Sequence, residues 1–190
     1  MPRPNALCFL LAGLLAAPGL AAEPAELPYQ RAHGAITLPE VTLVNQLGAR
    51  VPFNKVLDSG KVVILQFVFG TSASLSPMLS ASFQSLQASL GAKAKDVQFL
   101  SITVDPDHDS PKVGRAYLQR FQAQPGWDFL TGRREDLEAV QRAFTVWVPN
   151  KTYLFPVTFL HGPKSERWVK ITGLMSASEF LQEFARVENQ

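Results

Sequence analysis

The chain has 190 residues, of which 46% are hydrophobic and 18% are charged, as is ordinary for one globular domain with a core of its own. Its formal net charge is +2, from 18 basic and 16 acidic residues. A nucleic-acid-binding surface needs clustered Lys and Arg, so this balance gives no reason to expect nucleic acid as a partner.

The first 22 residues have the layout of a secretory signal peptide. Arg3 supplies a positive charge, residues 6–17 form an apolar run interrupted only by Gly13, and small residues follow at 19–22. The apolar run is too short for a permanent helix across a bilayer of about 30 Å. We therefore expect an exported, periplasmic protein. An anchored, membrane-proximal form is the alternative if the signal is not cleaved.

The only cysteine, Cys8, lies inside that apolar run. If the signal peptide is removed, the mature protein has no thiol, which excludes disulfides, thiol catalysis and thiolate metal ligands. Residues 23–35 are rich in Pro and Ala, and we predict a flexible leader there. The folded domain is expected over residues 36–190.

The first predicted elements of this domain are a β-hairpin and a buried strand. Residues 41–44 and 50–53 form the two short strands of the hairpin. Residues 61–69 (KVVILQFVF) are almost continuously apolar, which is typical of a central strand covered on both faces. A loop of small residues follows, and Pro77 is expected at the start of a helix that ends before Gly91.

Strands and helices alternate over the rest of the chain. Strands are predicted at 97–104, 127–130, 157–160 and 168–172, the last two as a hairpin, and helices at 111–121, 135–144 and from 177 onward. Ser110 before Pro111 is a helix start, and Ser176 with Glu179 is a capping box. The pattern predicts an α/β fold with a central mixed sheet, helices on both faces and an N-terminal β-hairpin.

Three segments together resemble one known family. They are FVFGTSASLSPM at 67–78, VDPDHDSP at 104–111 and FLTG at 129–132. In order and spacing they are similar to the SCO/SenC family, whose members have two cysteines separated by three residues before a helix-opening proline, and then an Asp-Pro-x-x-Asp-x-Pro motif. The resemblance covers about residues 38–181. It implies a thioredoxin-like fold and a role in copper delivery.

The chain departs from that family at its ligand positions. Ser72 and Ser76 stand where the family has its cysteines, and Leu154, or else Phe155, stands where the family has a histidine. Cu(I) prefers thiolate, thioether and imidazole ligands, whereas a serine hydroxyl is a hard and weak ligand. We therefore expect no cofactor and no catalysis. Ser76 is instead predicted to be an N-cap before Pro77, and Ser72 a small polar filler.

Two alternatives stay open. Met78 and His108 are candidate substitute ligands for copper, and Asp105 with His108 and a water is a weak candidate for another metal site. A Ser72–His108–Asp set is a candidate for a thiol-independent hydrolase, since a nucleophilic serine needs a neighbouring base. Metal stoichiometry and an esterase or peptidase screen with Ser72→Ala discriminate between them.

The leading hypothesis is an exported, non-catalytic SCO/SenC-like accessory protein. The resemblance implies a setting of cytochrome oxidase assembly or of copper and redox homeostasis. The altered ligand positions imply a protein partner, either a respiratory oxidase subunit or a SCO-like protein. A fold can survive the loss of its chemistry, because the core does not depend on the site.

Overall fold

The computed structural model describes residues 29–190, so the predicted signal peptide and residues 23–28 of the predicted leader lie outside the described residues. Eight strands form one sheet: β1 (Gln30–Gly34), β2 (Thr42–Asn45), β3 (Arg50–Pro52), β4 (Val62–Val68), β5 (Val97–Thr103), β6 (Trp127–Thr131), β7 (Val157–His161) and β8 (Trp168–Thr172). Five helices accompany it: α1 (Phe53–Leu57), α2 (Leu75–Leu90), α3 (Pro111–Arg120), α4 (Arg134–Ala143) and α5 (Ala177–Glu188).

The sheet is mixed, as predicted, with the order β1-β8-β7-β4-β5-β6-β2-β3. Strands β4, β5 and β6 are parallel, and β7 is antiparallel to β4. The predicted hairpins are both present, as β2–β3 and β7–β8. The carboxyl ends of the parallel strands β4, β5 and β6 therefore lie along one edge of the sheet, here called the carboxyl edge. In open α/β sheets, ligands bind outside this edge.

Aromatic side chains fill both faces of the sheet. On the face of the sheet covered by α2, α3 and α5, Phe83 of α2 packs against Phe99 of β5 with ring centroids 5.5 Å apart. Under α1 and α4, Phe67 and Phe144 meet at 5.7 Å. Every residue of β4 is buried, as the apolar run predicts. Full burial of one Val, Leu, Ile or Phe side chain stabilises the fold by about 1.5–3 kcal/mol relative to leaving it exposed.

The prediction of a flexible leader is wrong for residues 30–34, because they form the edge strand β1. This strand pairs antiparallel with β8. The hydroxyl of Tyr29 and the Nε of Arg31 each donate a hydrogen bond of 2.8 Å to the carboxylate of Glu183 on α5. The strand is thus held by residues far away in sequence rather than by an apolar pattern of its own.

Phe53 is also placed differently from its prediction. It was expected to end the second strand of the hairpin, but it begins the short helix α1 and is fully buried against Phe144, at 6.3 Å between ring centroids. Five residues span little more than one helical turn, which is too short for a helical period to stand out in the sequence.

The two predicted helix starts with capping residues are confirmed. Ser110 Oγ accepts a hydrogen bond of 3.4 Å from the Val113 N–H at the start of α3. Ser176 and Glu179 form both hydrogen bonds of a capping box at the start of α5. No helix within residues 29–190 is long and apolar enough to cross a membrane.

Candidate functional site

The junction, defined here as residues 69–78, connects β4 to α2 at the carboxyl edge. Helix α2 begins at Leu75, and Ser74 is its N-cap residue without a side-chain capping bond. The prediction that Ser76 is the N-cap and that Pro77 is the first helical residue is therefore wrong by two positions. Pro77 is still tolerated, because N–H groups in the first turn of a helix have no intrahelical acceptor.

Ser72 and Ser76 hold the junction by hydrogen bonds to its backbone. The Oγ of Ser76 accepts from the Phe69 N–H at 3.1 Å, and the Oγ of Ser72 accepts from the Ser76 N–H at 3.3 Å. Both serines are buried. Each hydroxyl thus satisfies a backbone donor that the turn leaves without a regular partner. Ser72 is more than the polar filler that the sequence predicts.

A chain of buried polar groups links the junction to the middle of the sheet. The Tyr117 hydroxyl donates to the Ser76 carbonyl at 3.2 Å and lies 2.7 Å from the Ser80 hydroxyl. The side-chain amide of Gln66 on β4 donates to Ser80 at 2.9 Å and to Ser101 at 2.8 Å. Burial raises the pKa of Tyr117, which keeps its hydroxyl neutral and able to donate. The network fixes the first turn of α2 on the core.

Leu154 belongs to the core under α1 and α4. It is buried in the apolar cluster that contains Phe67 and Phe144. Phe155 is partly buried, with the Lys170 ammonium 5.6 Å from its ring centroid. Neither side chain carries an atom that binds a metal ion. A histidine at position 154 would place an imidazole among hydrocarbon groups.

The acidic loop after β5 brings Asp105 and His108 together. Asp105 Oδ1 is 3.0 Å from His108 Nδ1, and its other oxygen forms an ion pair with Lys151. Burial acts to raise the pKa of Asp105, but the hydrogen bonds from Lys151 and His108 outweigh it and the pKa is lowered. Lys151 also lies 5.6 Å from the ring centroid of Phe69 in the junction.

The alternative sites are only partly assembled. Within residues 29–190, no three His, Cys, Asp or Glu side chains are grouped so that they could hold a metal ion. Met78 is half-exposed on the first turn of α2. The Asp–His half of the hydrolase set is present in Asp105 and His108, but no hydrogen bond joins His108 to Ser72. A nucleophile and its base require that contact.

Asp109, next to the Ser110 cap of α3, is a site residue whose role the sequence does not predict. Its Oδ2 accepts hydrogen bonds from the Gly70 N–H at 2.8 Å and from the Thr103 hydroxyl at 2.5 Å. Its Oδ1 is buried and has no partner among the described residues. Burial raises the pKa of Asp109 despite these two donors.

Gly70 leaves the space that Asp109 occupies. A Cβ at position 70 would lie 2.6 Å from Asp109 Oδ1 and 3.0 Å from Val113 Cγ1. Any larger residue must therefore displace the carboxyl group. No signal in the sequence points to this contact, since the two residues are 39 positions apart and the parallel pairing of β4 with β5 brings them together.

The donor set at the junction does not fit copper. Hydroxyl oxygens that already accept hydrogen bonds, together with a leucine, offer none of the soft ligands that Cu(I) prefers. The junction is a rigid turn at the carboxyl edge, joined to the acidic loop through Asp109 and Lys151. No step of copper chemistry can be derived from these residues.

The fold and the position of the junction define a thioredoxin-like protein, with a central strand that leads into a loop and a helix at the carboxyl edge. The chain belongs to the SCO1/SenC family, whose family model matches residues 30–184. The resemblance identified from the three sequence segments is therefore confirmed.

Individual relatives match over shorter stretches of the chain than the family model does. The SCO1 protein homolog of Bacillus subtilis is 33% identical over 92 residues, which are 48% of this chain and 47% of that protein. The chain spans about half the length of the curated relatives it matches.

Solved structures share the fold along most of the chain. BsSco, described as a member of the Sco family of cytochrome c oxidase assembly proteins with a disulfide switch, has a TM-score of 0.66 at 23% identity, over 80% of this chain and 94% of its own. Arabidopsis thaliana ScoI with copper bound has a TM-score of 0.62 at 24% identity, over 76% and 96% of the two chains.

Proposed function

We propose that this chain is an exported accessory protein of the SCO1/SenC family that acts by binding another protein. It does not pass copper or electrons through residues 72, 76 and 154, which we infer to be the altered ligand positions of the family. Its setting is cytochrome oxidase assembly or copper and redox homeostasis, and its partner is an oxidase subunit or a SCO-like protein.

The observation that carries this proposal is the bonding of the junction serines. The hydroxyls of Ser72 and Ser76 accept hydrogen bonds from the junction backbone, and Leu154 packs in the core. These three residues have structural roles that are complete without a metal. The family's fold is retained while its ligand types are absent, which favours binding of a protein over transfer of an ion.

The relatives support the proposed setting of cytochrome oxidase assembly, but they do not bear on the proposed binding of a partner protein. BsSco is described as a member of a family of cytochrome c oxidase assembly proteins, and the Arabidopsis protein was solved with copper. The apolar run at residues 6–17 supports export. In this proposal the chain keeps a surface that binds the assembly machinery, although its copper ligands are absent.

The first test is titration of the purified chain from residue 23 onward with Cu(I) against a competing chelator. The unmodified chain is expected to leave copper with the chelator, and Ser72→Cys/Ser76→Cys is expected to take up about one equivalent. The matched control is Ser85→Cys/Ser89→Cys, which places two thiols at the same spacing on exposed positions of α2. Leu154→His is left out, because a buried imidazole would also perturb folding.

Tight binding of one copper by the unmodified chain would overturn the proposal. Met78, Asp105 and His108 would then be the residues to substitute. If both cysteine pairs bind copper equally well, the junction has no preformed geometry for the ion, and the inference that residues 72 and 76 are former ligand positions fails.

The second test measures assembled cytochrome oxidase in the source organism after deletion of the gene. We expect less assembled enzyme, and full restoration by the unmodified gene and by Ser72→Ala, since the hydroxyl has no chemical role in this proposal. Normal oxidase in the deletion strain would remove the proposed setting. Failure of a folded Ser72→Ala protein to restore it would favour the hydrolase alternative.

A further inference from the structure

A cavity of about 200 Å³ lies beside the edge strand β1, on the face of the sheet that α1 and α4 cover. Strand β1 presents only small residues there, since Ala32 pairs with Lys170 of β8 and Gly34 pairs with Trp168. Paired residues point to the same face of a sheet, so these small residues leave the space between β8 and the end of α4 unfilled. The cavity is separate from the junction, because none of residues 69–78 lines it.

The walls of this cavity are mainly apolar and carry a single charge. Phe144, Phe159 and Trp168 supply aromatic carbon, and each of them is at most 4% exposed. Among residues 29–190, the lining contains two basic residues, Lys170 and His33, and no acidic residue. Burial lowers the pKa of His33, so its imidazole is neutral at pH 7. Lys170 is thus the one charged side chain of the lining at that pH.

Lys170 is surrounded by aromatic rings rather than by carboxylates. Its ammonium lies 5.6 Å from the ring centroid of Phe155 and 5.8 Å from that of Phe159, and it donates a hydrogen bond of 3.2 Å to the Thr145 hydroxyl. It forms no ion pair with any of residues 29–190. Burial lowers the pKa of Lys170, and no neighbouring carboxylate counteracts this shift. A carboxylate bound in the cavity supplies the missing counter-ion.

Thr145, which also lines the cavity, has a strained backbone. Its φ is 55°, in the left-handed region that β-branched residues rarely adopt. It follows the end of α4, where its N–H donates to the Arg142 carbonyl at 3.0 Å, and glycine is the usual residue at such a position. Strained residues cluster at functional sites, and threonine adds here the hydroxyl beside Lys170. A hydroxyl that accepts from Lys170 can still donate its own hydrogen.

We propose that this cavity binds a small carboxylic acid with an apolar body, in its carboxylate form. The Lys170 ammonium and the Thr145 hydroxyl each donate to one carboxylate oxygen, and the apolar body packs against Phe159 and Trp168. One ammonium balances one negative charge, so a monocarboxylate fits better than a phosphate dianion. The volume is below the range of about 300–1,000 Å³ that is usual for ligand sites, which favours a small acid. This inference goes beyond the proposed function and does not rest on it.

The test is titration of the ¹⁵N-labelled chain from residue 23 onward with 3-phenylpropionate at pH 7, followed by NMR. We expect saturable shifts of the backbone amides of Thr145 and Lys170 and of the Trp168 indole, with a dissociation constant of about 1 mM or lower. The amide 3-phenylpropanamide has the same shape without the charge, and inorganic phosphate has charge without an apolar body. Both are expected to bind at least about tenfold more weakly.

Two variants test the site from different sides. Lys170→Met keeps an apolar side chain and removes a cation that has no counter-ion, so it is expected to fold and to bind the acid about tenfold more weakly. Ala32→Leu, at an exposed position of β1, fills the cavity and should also abolish binding. Lys164→Met, at an exposed lysine in the β7–β8 turn outside the cavity, is the matched control and should bind normally. Thermal unfolding checks that each variant is folded.

Thr145→Gly separates binding from stability. Glycine adopts the left-handed backbone without strain, so the midpoint of thermal unfolding should not fall, whereas loss of the hydroxyl should weaken binding of the acid about threefold or more. Unchanged binding to Lys170→Met, equal binding of the acid and its amide, tighter binding of phosphate, or shifts confined to residues outside the cavity would each overturn the inference. Unchanged binding to Thr145→Gly would contradict the arrangement with two donors.

Discussion

Glu183 and Asp109 are both fully buried acidic residues, but their surroundings differ. Between β1 and α5, Glu183 accepts hydrogen bonds from Tyr29 and Arg31 and also pairs with Arg186. Burial acts to raise the pKa of Glu183, but these donors outweigh it and lower the pKa. At the junction, Asp109 has donors at one oxygen only, and burial raises its pKa.

The comparison teaches that burial alone does not decide how an acidic residue acts on stability. At the contact of β1 with α5, each carboxylate oxygen has a partner, so the charge stabilises the folded chain. At the junction, the buried Oδ1 of Asp109 has no hydrogen-bond partner among the described residues, and this destabilises the folded chain. The incomplete group lies beside the junction, although the junction serines are well bonded.

The largest effect is expected for Glu183→Gln. Loss of the buried charge that Arg31 and Arg186 pair with should lower the free energy of unfolding by about 3 kcal/mol at pH 7. Because the folded pKa of Glu183 is lowered, its contribution is present above the ordinary glutamate pKa of about 4.3 and is lost as the pH falls through the folded pKa. Urea unfolding from pH 7 to pH 3 should show the gap between the two proteins closing. A gap that stays constant contradicts this account.

A smaller effect is expected for Gly70→Ala, with Gly34→Ala as the matched control. The new Cβ at position 70 meets Asp109 Oδ1 at 2.6 Å, whereas a Cβ at position 34 meets nothing within 4 Å. Overpacking should cost about 2 kcal/mol at position 70, and the change at position 34 should stay within about 0.5 kcal/mol. Equal midpoints of thermal unfolding for the two variants would show that Asp109 moves aside freely.

The smallest effect is expected for Asp109→Asn. The amide oxygen can accept from Gly70 and Thr103 as the carboxylate does, so the free energy of unfolding should change by about 1 kcal/mol or less at pH 7. Because the folded pKa of Asp109 is raised, the native chain binds a proton more readily than the unfolded chain. The stability of the unmodified protein relative to Asp109→Asn should therefore rise as the pH falls towards the ordinary aspartate pKa of about 3.9. The same slope as for Glu183→Gln would refute the contrast.

Most of the fold could be predicted because its elements carry local signals. The apolar run at β4 and the capping residues Ser110 and Ser176 mark their elements directly. Strand β1 has no such signal, since QRAHG does not alternate apolar and polar residues. Its position depends on pairing with β8 and on the bonds to Glu183, more than 150 residues away.

The candidate site was predictable in residue type but not in geometry. The sequence shows that positions 72 and 76 carry hydroxyls and position 154 a hydrocarbon. It does not show that the helix begins at Leu75, because the path of a loop of small residues depends on which backbone donors find acceptors. The buried carboxyl of Asp109 beside Gly70 is a tertiary contact, and neither residue type predicts it alone.

The hydrogen bonds of Ser72 and Ser76 have a consequence for how the junction responds to oxidants and reductants. Oxygen atoms are not oxidised or reduced by thiol–disulfide exchange, and residues 29–190 contain no cysteine that could respond. Glutathione, a disulfide oxidase and a thiol reductant therefore all leave the junction unchanged. The junction therefore presents the same loop at the carboxyl edge at every redox potential.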